Sequence, residues 1–96
     1  MSYQFRIVSS FSSPELFKQV ISALHSSEYC IDTFLNDESA GFKYKNSESN
    51  WGSDIELYLN SDDLFLDIHA GNAKKILALI DNYLKKLNIL IEVEEL

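Results

Sequence analysis

Residues 54–69, DIELYLNSDDLFLDIH, decide the fold because two alternating runs flank a short polar turn. Strand side chains point alternately to opposite faces, so each run has one apolar and one polar side. Both apolar sides can meet one core if Leu59 lies opposite Leu64. A four-residue loop over 60–63 gives this register, as does a two-residue loop, and Asn60 at its start suits a type I turn. The stretch therefore predicts an antiparallel hairpin.

The polar face of this hairpin is predicted to carry like charges side by side. Its six side chains pair across the strands: Tyr58 with Phe65, Glu56 with Asp67, and Asp54 with His69. Like charges directly opposite on a sheet are destabilising, and two carboxylates about 5 Å apart repel by about 1 kcal/mol in water. We expect the acids to be arranged for a cation that a partner supplies.

Two other interpretations of this face stay open. Arg6 or Lys43 from a neighbouring strand could neutralise the acids and leave an ordinary solvated sheet face. The carboxylates and His69 could also hold a hard or borderline cation. We expect neither a metal site nor a cofactor, because the chain has no Cys or His pair at zinc spacing and no glycine-rich phosphate loop.

The net charge of −7 is concentrated in one third of the chain. Residues 37–69 hold eight acids against Lys43 and Lys45, which leaves −6 in this segment. Dispersed acids would simply keep the surface soluble. A cluster of this kind repels nucleic acid and anionic membranes and attracts a basic partner.

Trp51 adds a large aromatic side chain to the same segment, in the polar loop NSESNWGS of residues 46–53. It either folds back onto the edge of the core or is an exposed anchor, the role that Trp and Tyr have at binding hot spots. The candidate partner-binding residues are therefore the acids, aromatics and histidine of this segment: Asp37, Glu38, Glu48, Trp51, Asp54, Glu56, Tyr58, Asp62, Asp63, Phe65, Asp67 and His69.

The remaining residues supply two helices and four more strands. Alternation and β-branched or aromatic content predict strands over 3–9, 29–35, 42–45 and 89–93. Apolar residues at helical spacing predict one helix over about 14–26 and another between 72 and 88. Ser12 and Asn72 are the predicted caps, residues 36–41 form a turn, and Asn88 suits the left-handed end of the second helix.

This order, β-α-β-β-β-β-α-β, predicts the α+β class. Each helix has one apolar stripe, so a two-layer sandwich with both helices on one face of a mainly antiparallel sheet buries both stripes. We expect a single domain over residues 1–96. The order resembles the ferredoxin-like plan with an extra hairpin in the middle, a likeness of topology that carries no function.

Several functional classes are not expected from this sequence. No stretch is apolar for long enough to span a membrane, and the N-terminus has no secretory signal pattern. A single cysteine, Cys30, cannot form an internal disulfide, which favours the reducing cytoplasm. No serine, histidine and acid occur with a recognisable nucleophile turn, so we do not expect an enzyme.

In overall character the chain resembles small acidic bacterial immunity proteins, of the contact-dependent inhibition or bacteriocin type. The resemblance rests on size, acidity, the α+β class and the single cysteine, and no motif transfers a role to an individual residue. It implies a protein that binds and inhibits a toxin, many such toxins being basic nucleases. The alternative is a small-molecule-binding or regulatory module on a ferredoxin-like scaffold, as in amino-acid-sensing domains, which would have a concave pocket.

Overall fold

Two helices and six strands follow one another in the predicted order in a computed structural model that describes residues 2–96. The strands are β1 (Tyr3–Ser9), β2 (Cys30–Leu35), β3 (Ser39–Tyr44), β4 (Ile55–Asn60), β5 (Asp63–Ile68) and β6 (Ile91–Glu95). The helices are α1 (Ser13–His25) and α2 (Ala73–Lys86).

The six strands form one sheet in the order β2-β3-β4-β5-β1-β6, and all neighbouring pairs are antiparallel. One core contains buried side chains of both helices and of one face of the sheet. The predicted two-layer α+β sandwich is therefore confirmed. We call the sheet face that is turned away from the helices the outer face.

The predicted register of the β4–β5 hairpin is confirmed. Leu59 pairs with Leu64, and Glu56 lies opposite Asp67. The turn is tighter than the expected type I loop, because pairing continues to the last residues of the two strands and leaves only Ser61 and Asp62 unpaired. Both have positive φ, 51° and 68°, as in a type I′ turn. The twist of that turn matches the twist of the two strands.

The apolar side of this hairpin lies at the centre of the core. Leu57 and Leu66, which pair with each other, are fully buried. Phe5 and Ile7 extend the same face onto β1. The helices cover this face with the apolar stripes seen in the sequence, so period-2 and period-3.6 patterns meet in one core.

The starts of two strands differ by two residues or more from the predicted ones. β3 begins at Ser39 rather than residue 42, because the Asn36 side chain accepts the backbone N–H groups of Glu38 and Ser39 at 3.0 and 2.9 Å and tightens the turn. β6 begins at Ile91 rather than residue 89. The N–H of Ile89 donates to the carbonyl of Leu84 at 2.9 Å, so that residue still belongs to the helix end.

The helix ends follow the predicted signals in part. The Asn72 side chain accepts the N–H of Lys75 at 3.2 Å, and Asn88 has a φ of 60°. Ser12 occupies the N-cap position of α1, but its side chain makes no cap hydrogen bond. Its carbonyl accepts the N–H of Leu16 at 2.9 Å instead.

Candidate partner-binding face

The outer face carries acids and aromatics on four adjacent strands. Alternation places it opposite the buried side chains of the same strands, so its members follow from the register of β4, β5, β1 and β6. Five acids share this face with one arginine and two aromatics: Glu56, Asp63, Asp67, Glu92, Glu94, Arg6, Tyr58 and Phe65. The hairpin thus forms the centre of a wider acidic surface.

Glu56 has a hydrogen-bond partner within the chain. Its Oε1 lies 2.9 Å from Nε2 of His69, and Nδ1 of the same ring lies 2.9 Å from the Ser2 hydroxyl. When His69 is protonated, this contact is an ion pair. The expected neighbours Arg6 and Lys43 are not the partners of Glu56, whose hydrogen-bond partner directly follows β5.

Asp67 is the carboxylate of this pair that remains without a close cation. Within residues 2–96, no Lys, Arg or His nitrogen lies within 4.0 Å of it. The Tyr58 hydroxyl donates to it only weakly, at 3.4 Å. Partial burial, helped by the charge of Glu56, raises the pKa of Asp67 despite opposing contributions from Gln4, His69 and Tyr58.

Trp51 is packed against one neighbouring ring and is also exposed. Its indole stacks on the His69 ring, with centroids 4.4 Å apart and planes 15° from parallel, yet the residue is 47% exposed. Lys43 holds the loop by donating to the Trp51 carbonyl at 2.7 Å. The His69 ring therefore contacts both the exposed indole and the Glu56 carboxylate, at the edge of the acidic surface.

The second aromatic pair lies within the acidic surface. Tyr58 and Phe65 stack across the hairpin with centroids 5.5 Å apart, and both are half-buried. The Tyr58 hydroxyl accepts a hydrogen bond from Gln4 at 2.5 Å. Rigid aromatic area is thus available next to Asp67.

Asp54 is not on the partner-binding face, and the prediction that placed it there is wrong. The residue is fully buried, because the loop of residues 46–53 folds over the ends of β3 and β4. Its carboxylate accepts the N–H of Tyr44 at 3.0 Å and the Ser49 hydroxyl, with Nζ of Lys43 4.0 Å away. Burial opposes ionisation, but the hydrogen bonds from Ser49, Ser47 and Tyr44 and the charge of Lys43 outweigh it and lower the pKa of Asp54.

The other predicted acids lie at the two ends of the sheet. Asp37 and Glu38 are in the β2–β3 turn, at the same end as Asp62 in the hairpin turn, and Glu38 and Asp62 line one shallow groove. Glu48 is exposed in the β3–β4 loop at the opposite end. The predicted residues therefore form a group on the outer face and a group at one end of the sheet, with Glu48 apart from both at the opposite end.

Sequence reasoning missed two acids and the role of the arginine. Glu92 and Glu94 of β6 lie opposite Val8 and Arg6. Arg6 contacts Glu94 and, at 3.9 Å, Asp63. The alternation in IEVEE places these acids on a polar side, but only the strand order shows that this side continues the hairpin surface.

The described residues were also compared with the requirements of a metal site and of a membrane-spanning helix, and the chain with known proteins. Within residues 2–96, no group of three His, Cys, Asp or Glu side chains is placed to hold a metal ion. No helix in that range is both long and apolar enough to cross a membrane. No protein-family model, curated protein or solved structure shows significant similarity to the chain.

Proposed function

We propose that this protein is a cytoplasmic immunity protein that binds and inhibits a basic, nuclease-type bacterial toxin through the outer face of its sheet. The observation that carries the proposal is the uncovered acidic surface on β4, β5, β1 and β6, with aromatic side chains inside it. The proposal concerns stoichiometric binding and assigns no reaction to the chain.

A macromolecular partner suits this surface better than a small ligand. Its central side chains lie on a broad sheet face, and Tyr58, Phe65 and Trp51 supply aromatic area of the kind that dominates protein interfaces. Asp67 sits among them, and no other described residue places a cationic nitrogen within 4.0 Å of it. An Arg or Lys of the partner would place positive charge where the free domain has a poorly neutralised carboxylate.

The negative charge of the outer face and of the whole chain favours a basic partner. Five acids against one arginine, in a chain of net charge −7, give a field that speeds encounter with a positive surface. Nuclease toxins must themselves attract a phosphate backbone, so they present the complementary positive charge. An acidic protein face can compete for that surface.

Binding to candidate toxins tests the proposal. Basic toxin-like products of neighbouring reading frames would be titrated with the wild type and with Asp67→Asn and Glu56→Gln. The matched control is Asp81→Asn, which also removes one acid but on α2, where Asp81 pairs with Lys85 at 2.9 Å. We expect the outer-face variants to weaken binding by about tenfold or more and the control to leave it nearly unchanged.

The salt dependence of binding and an assay of the toxin's nuclease activity complete the test. Binding and inhibition should weaken as salt rises, and the slope should be smaller for the outer-face variants than for Asp81→Asn. No complex at low salt with any basic candidate would count against the proposal. Equal losses for Asp67→Asn and Asp81→Asn would show that total charge, not this face, matters.

A second candidate function, small-molecule binding, is favoured by one groove. The groove has a volume of about 440 Å³ and lies between β1, β6 and the start of α2, lined by Tyr3, Phe5, Leu77 and Lys74 among others. A ligand there should raise the melting temperature of the wild type. Leu77→Trp, which fills the groove, should abolish that rise while Asp67→Asn preserves it.

A further inference from the structure

The two edge strands of the open sheet differ in how well they are protected from pairing with another chain. β6 carries Glu92, Glu94 and Glu95, and charges of this kind discourage pairing at an edge. β2, with the sequence CIDTFL, has neither Lys nor Pro. Its single charge, Asp32, pairs with His25 of α1 at 2.8 Å. The feature of β2 that discourages pairing with another chain is a bulge between Asp32 and Phe34.

The β2 edge also exposes apolar side chains on both of its sides. Ile31 and Leu35 are 52% and 56% exposed, and Tyr29 and Phe34 are also exposed. Leu35 borders a groove of about 480 Å³ between this edge and α1, lined by Phe17, Ile21 and Pro14 among others. Unpaired backbone groups and apolar side chains are thus presented together.

We infer that β2 pairs antiparallel with β2 of a second copy of this chain, which joins two sheets edge to edge. Such an isologous contact uses the same strand twice around a two-fold axis. The side chains that each β2 turns toward the helix layer would pack near the α1 groove of the other copy. The acidic outer face lies on β4, β5, β1 and β6, so the inference is independent of the proposed function.

Under this symmetry, charged residues near the start of β2 in one copy approach charged residues near the end of β2 in the other. The start of the strand is flanked by Glu28 and by Lys45, whose N–H donates to the Tyr29 carbonyl at 2.9 Å. The end of the strand is flanked by Asp37 and Lys18, which line the same groove. Antiparallel pairing brings the start of one strand beside the end of the other, so Glu28 of each copy is brought toward Lys18 of the second copy, while Lys45 lies behind the edge on the β3 side. If β6 paired with β6 of a second copy instead, the acids of the two strands would repel each other.

The test is the oligomeric state in solution, measured by sedimentation over a range of concentrations up to about 1 mM. The probes are Leu35→Lys and Ile31→Lys, which place a charge on the β2 edge. Val93→Lys is the matched control, because Val93 is 40% exposed on the other edge strand. We expect a concentration-dependent dimer that each β2 variant weakens at least about tenfold. Val93→Lys should leave the dimer intact.

Amide hydrogen exchange on the wild type gives a second readout that needs no variant. Protection of amides within residues 30–35 should rise with protein concentration, while β6 amides should not change. A wild type that stays monomeric throughout would overturn the inference, as would a dimer that Val93→Lys breaks and Leu35→Lys does not. Protection of β2 that appears only on adding a toxin would also overturn it and assign the edge to a strand of the toxin.

Discussion

Glu56 and Asp67 lie opposite each other, yet their surroundings make them chemically different. Glu56 contacts His69, whereas Asp67 is partly buried beside aromatic rings without a cation within 4.0 Å among the described residues. Glu56 therefore has a hydrogen-bond partner, and Asp67 is the less compensated carboxylate of the repelling pair. A carboxylate held in this way is poorly solvated in the free domain and is the better candidate for contact with a partner's cation.

Replacing Asp67 with Asn should stabilise the free protein at neutral pH by about 0.5 kcal/mol, as for other like-charge cross-strand pairs. The pKa of Asp67 is raised in the folded state, so folding disfavours its charged form. That penalty is present above the folded pKa and vanishes as pH falls below the unfolded value of about 3.9. Chemical denaturation at neutral and acid pH measures the difference, and a loss of stability at neutral pH would contradict this assignment.

Asp54 should behave in the opposite way, because its buried carboxylate is hydrogen-bonded in its charged form. Asp54→Asn should cost about 3 kcal/mol at neutral pH, since the amide keeps only one of the two acceptor oxygens that serve the Tyr44 N–H and the Ser49 hydroxyl, and the negative charge near Lys43 is lost. The pKa of Asp54 is lowered on folding, so its contribution is complete above the unfolded pKa. It is lost as pH falls through the folded pKa.

Unfolding curves over the acid range would test Asp54 directly. The wild type should lose its advantage over Asp54→Asn as the carboxylate takes up a proton. Glu48→Gln is the matched control, because Glu48 is exposed in the same loop. A wild type and an Asp54→Asn variant of equal stability at neutral pH would contradict the buried role.

At the scale of the element, the hairpin turn requires a backbone conformation that its two central residues do not favour. A two-residue type I′ turn needs positive φ at both central positions, and here they are Ser61 and Asp62 rather than Asn and Gly. The register of β4 and β5 keeps apolar pairs such as Leu57 with Leu66 below the turn, and a slip by one residue would turn the apolar side of one strand away from the core. The strands therefore impose the turn conformation.

Asp62→Gly should stabilise the protein by about 0.5–1 kcal/mol. Glycine removes the left-handed strain of about 1–2 kcal/mol, and part of this gain is offset by the greater entropy of glycine in the unfolded chain. The Asp62 carbonyl, which accepts the Ser13 hydroxyl at 2.5 Å, is retained. A melting curve measures the effect. Asp37→Gly, in the β2–β3 turn without a positive φ, should not stabilise and serves as control.

At the scale of the whole molecule, charge is distributed unevenly over the two layers. The sheet side and its turns carry most of the acids, while α2 ends in Lys85 and Lys86. The resulting self-repulsion costs the folded domain stability, but it also steers a basic partner toward one side. Stability and association should therefore respond to salt in opposite directions.

Raising the salt concentration should increase the melting temperature of the free protein and weaken its complex with a basic partner. Both effects come from screening of exposed charges, whose range falls from about 30 Å at 0.01 M to about 8 Å at 0.15 M ionic strength. Thermal melts and binding titrations over the same salt series check the two signs. A melting temperature that falls with salt would mean that ion pairs such as Arg6 with Glu94 outweigh the repulsion.

The sequence by itself determined the element order, the α+β class and the register of the hairpin. These features depend on local periodicity: alternation assigns a face to each strand residue, and apolar spacing assigns a face to each helix. Once Leu57 and Leu66 face one core and a short turn pairs Leu59 with Leu64, Glu56 and Asp67 lie opposite each other on the other side. Local patterns are sufficient here because a register slip would expose the whole apolar set.

Only the tertiary structure decided the strand order, and with it the composition of the candidate site. β6 lies beside β1, which adds Glu94 to the acidic surface, and the loop after β3 buries Asp54 and stacks Trp51 on His69. These contacts join residues far apart in the chain, so no local pattern encodes them. The contact between His69 and Glu56 is of the same kind, because it depends on side-chain direction where β5 ends.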